Sequence, residues 1–228
     1  MKLNTFSILA KCKETGMFGA AVASNFPGLG AHSPYIEADA GIIQTQGWVN
    51  PSLGLKGIQL LRDGATSHEV MNELLFQDPG RELRQVAVMD RYGNCSVYTG
   101  SENDDIKGHI IGDQYCVLGN ILANQHVLPS METAFLETEG NLAERLLASL
   151  LKGEEAGGDR RGKKAAVIKV EAIKGFPYVD FRVDDHPDPV KELTNIYYRN
   201  KGVLIDRYYE WVDSVQKGIR LGDETIEK

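Results

Sequence analysis

Residues 5–24, TFSILAKCKETGMFGAAVAS, contain the pattern that decides the fold. Short apolar runs at 5–10 and 18–24 flank a polar segment in which a Thr-Gly pair is typical of a turn. Each run has the length of a strand and is too short for a helix of ordinary size. The sequence therefore predicts an N-terminal β-hairpin whose first strand begins at a hydroxyl-bearing residue, Thr5.

Beyond this hairpin, strand and helix patterns occur in clusters. Residues 41–46 form another strand-like run, after which the apolar spacing becomes that of two consecutive helices. The second of these helices begins with a capping box, Thr66 to Glu69. Further strands are predicted at 84–90, 95–99, 115–119, 164–172 and 178–183. Further helices are predicted at 130–137 and 141–151, with a helical segment after Pro189. Clustered strands and clustered helices favour an α+β fold of packed layers with antiparallel pairing.

The composition is that of an ordinary globular protein, with 228 residues of which 42% are hydrophobic and 25% charged. Lys and Arg total 25 against 32 Asp and Glu, and the resulting net charge of −7 argues against a nucleic-acid partner. No stretch approaches the roughly 18 apolar residues of a membrane span, and the apolar N-terminal run is too short for a signal peptide. Three dispersed cysteines fit a reducing compartment. We expect a cytoplasmic protein with neither a nucleic-acid nor a membrane partner.

Several short motifs occur in the order found in one bacterial and archaeal family. They are 5–8 (TFSI), 22–26 (VASNF), 44–46 (QTQ), 50–51 (NP), 78–81 (DPGR), 119–122 (GNIL), 157–162 (GGDRRG) and 184–189 (DDHPDP). On these motifs the chain resembles the domain of unknown function 1028 family, which is assigned to the N-terminal nucleophile (Ntn) hydrolase-like superfamily. The resemblance implies a four-layer αββα sandwich. We place this domain at residues 1–194, with a C-terminal helical extension of the same domain at 195–228.

The resemblance also implies a catalytic role for Thr5. An Ntn hydrolase uses the hydroxyl or thiol of its first mature residue as the nucleophile and the α-amine of that residue as the base. Related sequences commonly begin Met-Thr-Phe-Ser, whereas here Lys2, Leu3 and Asn4 stand between the initiator Met and the threonine. The amine of Thr5 is therefore exposed only after residues 1–4 are removed.

Two further residues are predicted to take part in catalysis. Asn120, together with the backbone around Gly47, is a candidate donor of hydrogen bonds to the oxyanion. Ser24 lies at the hairpin end where proteasome-like relatives carry a group that tunes the nucleophile. No cofactor is expected, because this chemistry uses only the groups of the chain.

Four residues are predicted to bind the ligand. Gln46 and Asn50 supply amides at a strand end, where they suit a pocket wall. Asp159 and Arg161 belong to the glycine-rich segment 157–162, which offers N–H groups and an Arg fork to an anionic group. A turn with solvated charges is the alternative interpretation of this segment, because it lacks the spacing of a P-loop.

Three functions remain open from the sequence. The first is hydrolysis of an amide or other acyl bond in a small molecule or peptide through Thr5. The second is a non-catalytic protein that holds such a ligand in the same pocket, and the third is a purely structural assembly protein. Metal binding is not predicted: the carboxylates and imidazole at 184–188 occur together with Pro187 and Pro189, and this combination favours a rigid polar turn.

The C-terminal segment carries an aromatic-rich stripe at helical spacing, formed by Leu204, Tyr208, Trp211, Val212 and Val215. Because it follows the last predicted strand, we expect this stripe to contact a second copy of the chain, where Tyr and Trp are favoured. The prediction is a homodimer.

Overall fold

The computed structural model describes residues 2–3, 5–103, 106–218 and 220, which form a mixed α+β structure. The strands are β1 (Lys2–Leu3), β2 (Thr5–Lys11), β3 (Phe18–Ser24), β4 (Tyr35–Glu37), β5 (Gly41–Trp48), β6 (Arg84–Asp90), β7 (Cys95–Thr99), β8 (Gly108–Gly112), β9 (Tyr115–Gly119), β10 (Ala165–Ile173) and β11 (Phe176–Val183). The six α-helices of the described residues are α1 (Pro51–Arg62), α2 (Ser67–Gln77), α3 (Val127–Glu137), α4 (Leu142–Glu155), α5 (Pro189–Asn200) and α6 (Tyr208–Lys217).

The strands form two antiparallel sheets. In the first sheet the order is β1-β5-β6-β7, and β4 pairs with another part of β5. In the second sheet the order is β11-β10-β3-β2-β9-β8. The predicted N-terminal hairpin is confirmed as β2 and β3, which are the two central strands of the second sheet.

Helices cover each sheet on one face. Helices α1 and α2 pack on the first sheet through a buried cluster that includes Ile43, Leu61 and Val88. Helices α3, α4 and α5 pack on the second sheet through a larger cluster around Phe6 and Leu146. A third cluster contains the side chains of both sheets that face each other, namely Leu9, Phe18, Ala20, Ile36, Ile42, Ala87, Met89, Cys116 and Leu118.

Strand β2 explains why the apolar runs of the sequence are continuous and do not alternate with polar residues. Its even-numbered residues, such as Phe6 and Ile8, face the helices, whereas Leu9 faces the other sheet. Both faces are therefore buried, and every residue from Thr5 to Ala10 is inaccessible to solvent. The face between the sheets changes character along the strand, because the odd-numbered residues nearest its start are Thr5 and Ser7.

Helix starts were predicted well where a capping side chain is present. Thr66 and Asn141 accept hydrogen bonds from the backbone N–H groups of Glu69 and Glu144, and each pair forms a capping box. Helix α3 begins at Val127 rather than at the predicted residue 130. Pro129 does not delay the start, because proline in a first turn forfeits no hydrogen bond within the helix.

The C-terminal stripe is divided in the folded chain. Tyr208 and Val212 are buried, and Tyr208 Oη donates to the Phe176 carbonyl oxygen at 2.6 Å. Leu204 and Val215 are exposed, and Trp211 is partly exposed beside Phe176. Among the described residues, every helix is too short or too polar to span a bilayer.

Candidate active site at the start of strand β2

The three residues predicted as catalytic lie side by side across the second sheet. Thr5 is paired with Ser24 of β3, and the Asn120 backbone N–H donates to the Thr5 carbonyl oxygen at 3.0 Å. Because Phe6 is paired with Gly119, Asn120 is the residue opposite Thr5 on the β9 side. All three residues are buried. Residues Ser24, Thr5 and Asn120 therefore form one cross-strand row, which we call the Thr5 row.

The alternation of side chains places the Thr5 row on the face between the sheets. Side chains that are an even number of residues apart in a strand point to the same face of the sheet. Thr5 is related in this way to Leu9, and Asn120 to Leu118, and both leucines belong to the cluster between the sheets. The sequence brings these residues together only through the strand register, since Thr5 and Asn120 are far apart along the chain.

Two oxygens of the Thr5 row lack a partner among the described residues. Thr5 Oγ1 and Asn120 Oδ1 are both inaccessible to solvent and accept or donate no hydrogen bond there. Leaving a buried polar atom unpaired costs about 1–3 kcal/mol, so a pair of them in one row is an arrangement that folding alone does not favour. Ser24 differs, because its hydroxyl accepts the Phe26 backbone N–H at 3.2 Å.

A chain of buried amides lies against the Thr5 row from the first sheet. Asn120 Nδ2 donates to Gln85 Oε1 at 3.0 Å, and Gln46 Nε2 donates to the same oxygen at 2.7 Å. Gln46 Oε1 in turn accepts the Ser7 hydroxyl at 2.9 Å and Gln44 Nε2 at 3.0 Å. These side chains are fully or almost fully buried. We call Gln44, Gln46, Gln85 and Asn120 the amide chain.

Ser33 extends this network to the loop before β4. Its hydroxyl donates to Gln44 Oε1 at 2.9 Å and accepts the Thr45 backbone N–H at 3.2 Å. The space between the sheets is therefore apolar along most of its length and polar at the end where β2 begins. This polar end is held together by hydrogen bonds that cross from one sheet to the other.

The N-terminal segment runs from the first sheet into the second. Lys2 and Leu3 pair with Trp48 and Gly47 at the end of β5, whereas Thr5 already belongs to the second sheet. The Trp48 carbonyl oxygen also accepts a hydrogen bond from the Arg84 guanidinium. Lys2 and Leu3 therefore lie at the same end of the structure as the polar network.

Asp159 and Arg161, predicted as ligand-binding residues, pair with each other. The Asp159 carboxylate is buried and accepts the Arg161 backbone N–H at 2.9 Å and the Arg161 guanidinium at 3.1 Å. Asn25, next to Ser24, donates to the Arg161 carbonyl oxygen at 2.8 Å. The glycine-rich segment is thereby fixed beside the end of β3, with the partly exposed Arg161 side chain on its outer surface.

Glu154 and Lys163 form an ion pair across the glycine-rich segment. Burial raises the pKa of the Glu154 carboxyl, and the nearby Lys163 opposes this change. Gly157 and Gly158 between them have positive φ values of 120° and 53°, conformations that glycine adopts at little cost. The segment is an ordered loop whose shape depends on these internal pairs.

Asn50 and Gln46, the other two predicted ligand-binding residues, have different environments. Asn50 Oδ1 caps helix α1 by accepting the Ser52 backbone N–H at 3.2 Å, whereas Gln46 belongs to the amide chain. The segment 184–189 forms a local turn in which His186 Nδ1 accepts the Asp188 backbone N–H at 3.0 Å. In the described part of the chain, no group of three or more His, Cys, Asp or Glu side chains is placed to hold a metal ion.

Sequence reasoning missed Gln85 and Ser7 as members of the site. Both occupy positions that alternate with apolar residues in strands of otherwise buried character. A polar side chain at such a position is unusual, because the strand is covered on both faces. That mismatch is the signal by which the sequence marks the polar end of the space between the sheets.

Fold and site together define a two-sheet α+β protein with a buried hydroxyl-bearing residue at the start of a central strand. The chain belongs to the family of unknown function DUF1028, whose model matches residues 5–193. A family member from Silicibacter pomeroyi has a crystal structure that is 35% identical in sequence, with a TM-score of 0.80, and the match covers 88% of this chain and 90% of that one. A search of curated proteins found no match.

A more distant likeness is to Anbu, the ancestral β-subunit, from Yersinia bercovieri. The TM-score is 0.41 at 10% sequence identity, and the match covers 96% of this chain and 99% of that one. A likeness at this level carries no argument about activity. The case for a function therefore depends on the geometry of the Thr5 row.

Proposed function

We propose that this protein is an N-terminal nucleophile hydrolase of the four-layer αββα type, which cleaves an amide or other acyl bond in a small molecule or peptide. Thr5 is the nucleophile in this proposal, after residues 1–4 are removed. The observation that carries the proposal is the fully buried Thr5 hydroxyl at the first position of β2, beside the Asn120 side-chain oxygen, both of them without a partner in the described part of the chain. A hydroxyl that only began a strand would be expected to find a partner or to face water.

The reaction divides into two steps that use groups of the chain. In the first, Thr5 Oγ1 attacks the acyl carbon while the α-amine takes the hydroxyl proton, and the leaving amine departs with that proton. This step exchanges the substrate's acyl bond for an ester on Thr5. In the second, the same amine accepts a proton from water as the water oxygen attacks the ester, and it returns that proton to Thr5 Oγ1 when the acid is released. The α-amine suits this work because its ordinary pKa is about 7.7–8.0.

Removal of residues 1–4 is a necessary part of the proposal. While the Asn4–Thr5 bond is intact, the Thr5 nitrogen belongs to a peptide bond and has no basicity. The pairing of Lys2 and Leu3 with Trp48 and Gly47 holds these two residues against the end of β5. Cleavage at Asn4–Thr5 is then the step that converts the chain into a hydrolase.

The alternative is a binding protein that holds an amide or carboxylate ligand without turnover. The hydrogen bonds of the amide chain favour it, because they hold Gln44, Gln46 and Gln85 in fixed positions at the polar end of the space between the sheets. A full-length chain would serve this function unchanged. The two proposals therefore differ in whether the Asn4–Thr5 bond is broken.

Intact-mass measurement of the purified protein tests the proposal without a known substrate. We expect loss of residues 1–4, followed by acylation of Thr5 when p-nitrophenyl acetate is supplied as a general acyl donor. The Thr5→Val variant should do neither. A chain that stays full length and is not acylated would overturn the hydrolase proposal and leave the binding protein.

Thr45→Val is the matched control for this experiment. Thr45 Oγ1 is also fully buried and without a partner among the described residues, so the substitution removes the same kind of hydroxyl. Its place in β5 alternates with the residues that face the second sheet, so it lies on the helix side. Thr45→Val should be processed and acylated like the unchanged protein.

A further inference from the structure

The orientation of the amide chain is fixed at one end by backbone carbonyls. Gln85 Nε2 donates to the carbonyl oxygens of Gly108 and Gly119, at 3.0 Å each. A carbonyl oxygen has no hydrogen to give, so the NH₂ end of the Gln85 amide must face these two atoms. The reversed amide would place Gln85 Oε1 against both oxygens. Gln85 Oε1 consequently faces the other way, towards Gln46 and Asn120.

This fixed orientation determines how Asn120 is turned. Gln85 Oε1 can only accept, so Asn120 must direct its NH₂ end towards it, at 3.0 Å. One of the two Nδ2–H groups of Asn120 is thus engaged by Gln85, and the acceptor that the side chain offers is Oδ1. That atom is buried and without a partner among the described residues, and Asn120 is the cross-strand neighbour of Thr5. The Thr5 row therefore contains an amide oxygen that is available as an acceptor.

Cleavage before Thr5 would create the donor that this acceptor lacks. An amide nitrogen carries one hydrogen, whereas a free amine carries two and an ammonium three. In a buried site each new N–H group needs an acceptor, because a buried donor without an acceptor destabilises the protein. Asn120 Oδ1 is an acceptor of the Thr5 row that has no partner within the described ranges and that belongs to another residue than Thr5, and the backbones of the two residues are already hydrogen-bonded at 3.0 Å.

We propose that Asn120 Oδ1 accepts a hydrogen bond from the freed α-amine of Thr5, and that Gln85 is the positioning residue that keeps this oxygen turned towards it. The inference rests on the proposed hydrolase function. Asn120 then holds one N–H group, so that the lone pair of the neutral amine is left for the Thr5 hydroxyl proton. Gln85 acts only through Asn120.

The role of Asn120 as an acceptor for the amine can be tested through the pH dependence of the acylation rate. A carbonyl oxygen on the amine favours the protonated form, so Asn120→Leu should move the acid limb of the acylation rate to lower pH, by about one pH unit. Asn120→Asp places an anion beside the amine and should move the same limb upward by about one pH unit or more. A residue that served only to stabilise the fold would not shift the limb in opposite directions.

The experiment measures acylation by p-nitrophenyl acetate between about pH 5 and 10, with intact mass to count the acyl groups on Thr5. All proteins are compared in the processed form. Any variant that stays full length is made as a ubiquitin-like fusion whose removal leaves Thr5 first. Ser149→Ala is the control, since it removes a buried hydrogen bond to the Met131 carbonyl oxygen between α3 and α4. The acid limb of the acylation rate of Ser149→Ala should coincide with that of the unchanged protein.

The outcomes separate this inference from the function on which it rests. Opposite shifts for Asn120→Leu and Asn120→Asp support the inference, and Gln85→Met should shift the limb in the direction of Asn120→Leu. If the variants are still acylated at Thr5 and the acid limbs of their acylation rates coincide with that of the unchanged protein, the inference about Asn120 is overturned and the hydrolase proposal stands. A slower plateau with an unmoved limb in Asn120→Leu also overturns it and indicates an oxyanion donor. Absence of acylation in the unchanged, processed protein refutes the hydrolase itself.

Discussion

The Ser7 hydroxyl donates to Gln46 Oε1 across 2.9 Å and so joins the two sheets at a fully buried position. Ser7 lies two residues after Thr5 in β2, and Gln46 lies in β5 beside the residues that pair with the N-terminal segment. This hydrogen bond fixes the distance between the start of β2 and the amide chain. The candidate site is therefore supported by both sheets rather than carried on a loop.

We predict unequal costs for removing the two partners of this bond. Ser7→Ala should lower the free energy of unfolding by about 1 kcal/mol, because Gln46 Oε1 still accepts from Gln44. Gln46→Leu should cost about 2–3 kcal/mol, since it leaves both the Ser7 hydroxyl and the Gln44 NH₂ group without that acceptor. Urea unfolding measures both values. Equal costs would show that the amide chain does not behave as a connected unit.

The unpartnered hydroxyls give a second prediction, about stability. Thr5→Val replaces a buried hydroxyl, which has no hydrogen bond to any described residue, by a methyl group of similar size, so stability should stay the same or rise by up to about 1 kcal/mol. Thr45→Val should behave in the same way. Thermal unfolding of the two variants checks this expectation. A loss of more than about 1 kcal/mol in Thr5→Val alone would mean that its hydroxyl has a partner in solution.

The glycine-rich loop gives a third prediction. Asp159→Ala removes a buried carboxylate that holds both the backbone and the side chain of Arg161, and it should cost about 2 kcal/mol. Arg161→Met should cost less, about 1 kcal/mol, because the Arg161 side chain is 42% exposed and the pair is screened by water. Urea unfolding and proteolysis of the loop check both values. A larger cost for Arg161→Met would assign the guanidinium a structural role beyond this pair.

The fold was more accessible from the sequence than the site was. The hairpin of β2 and β3 and the caps at Thr66 and Asn141 were predicted because local patterns determine them. The strands β1, β4 and β8 were missed, because two or three residues, or a run bounded by glycines, carry no periodicity that can be recognised. Their pairing depends on neighbouring strands instead.

The site was predicted in part, for a related physical reason. Thr5, Ser24 and Asn120 were named from the family resemblance, but their meeting in one row follows from the register of three strands. Gln85 was not named, because its role comes from two carbonyl oxygens in β8 and β9 that no local pattern connects to it. The orientation of Asn120 was inaccessible for the same reason.

The last prediction concerns the dependence of stability on pH. The Glu37 carboxylate of β4 is bound by Arg62 at the end of α1 and by Lys174 in the turn between β10 and β11, with Lys174 Nζ at 2.9 Å. The hydrogen bond from Arg62, aided by Lys174, lowers the pKa of Glu37 from 4.5 to about 2, although burial opposes the change. A lowered pKa in the folded state stabilises the fold above the ordinary pKa. This contribution is lost as the pH falls from about 4.5 towards 2.

Glu37→Gln should therefore be less stable than the unchanged protein at neutral pH, and the difference should narrow as the pH falls below about 4.5. Urea unfolding at a series of pH values measures it. Glu73→Gln is the control, because the side chains of the Lys56–Glu73 pair are 36% and 42% exposed and the pair, screened by water, should contribute little at any pH. A difference for Glu37→Gln that stays constant down to about pH 3 would show that the carboxylate acts through packing rather than through its charge.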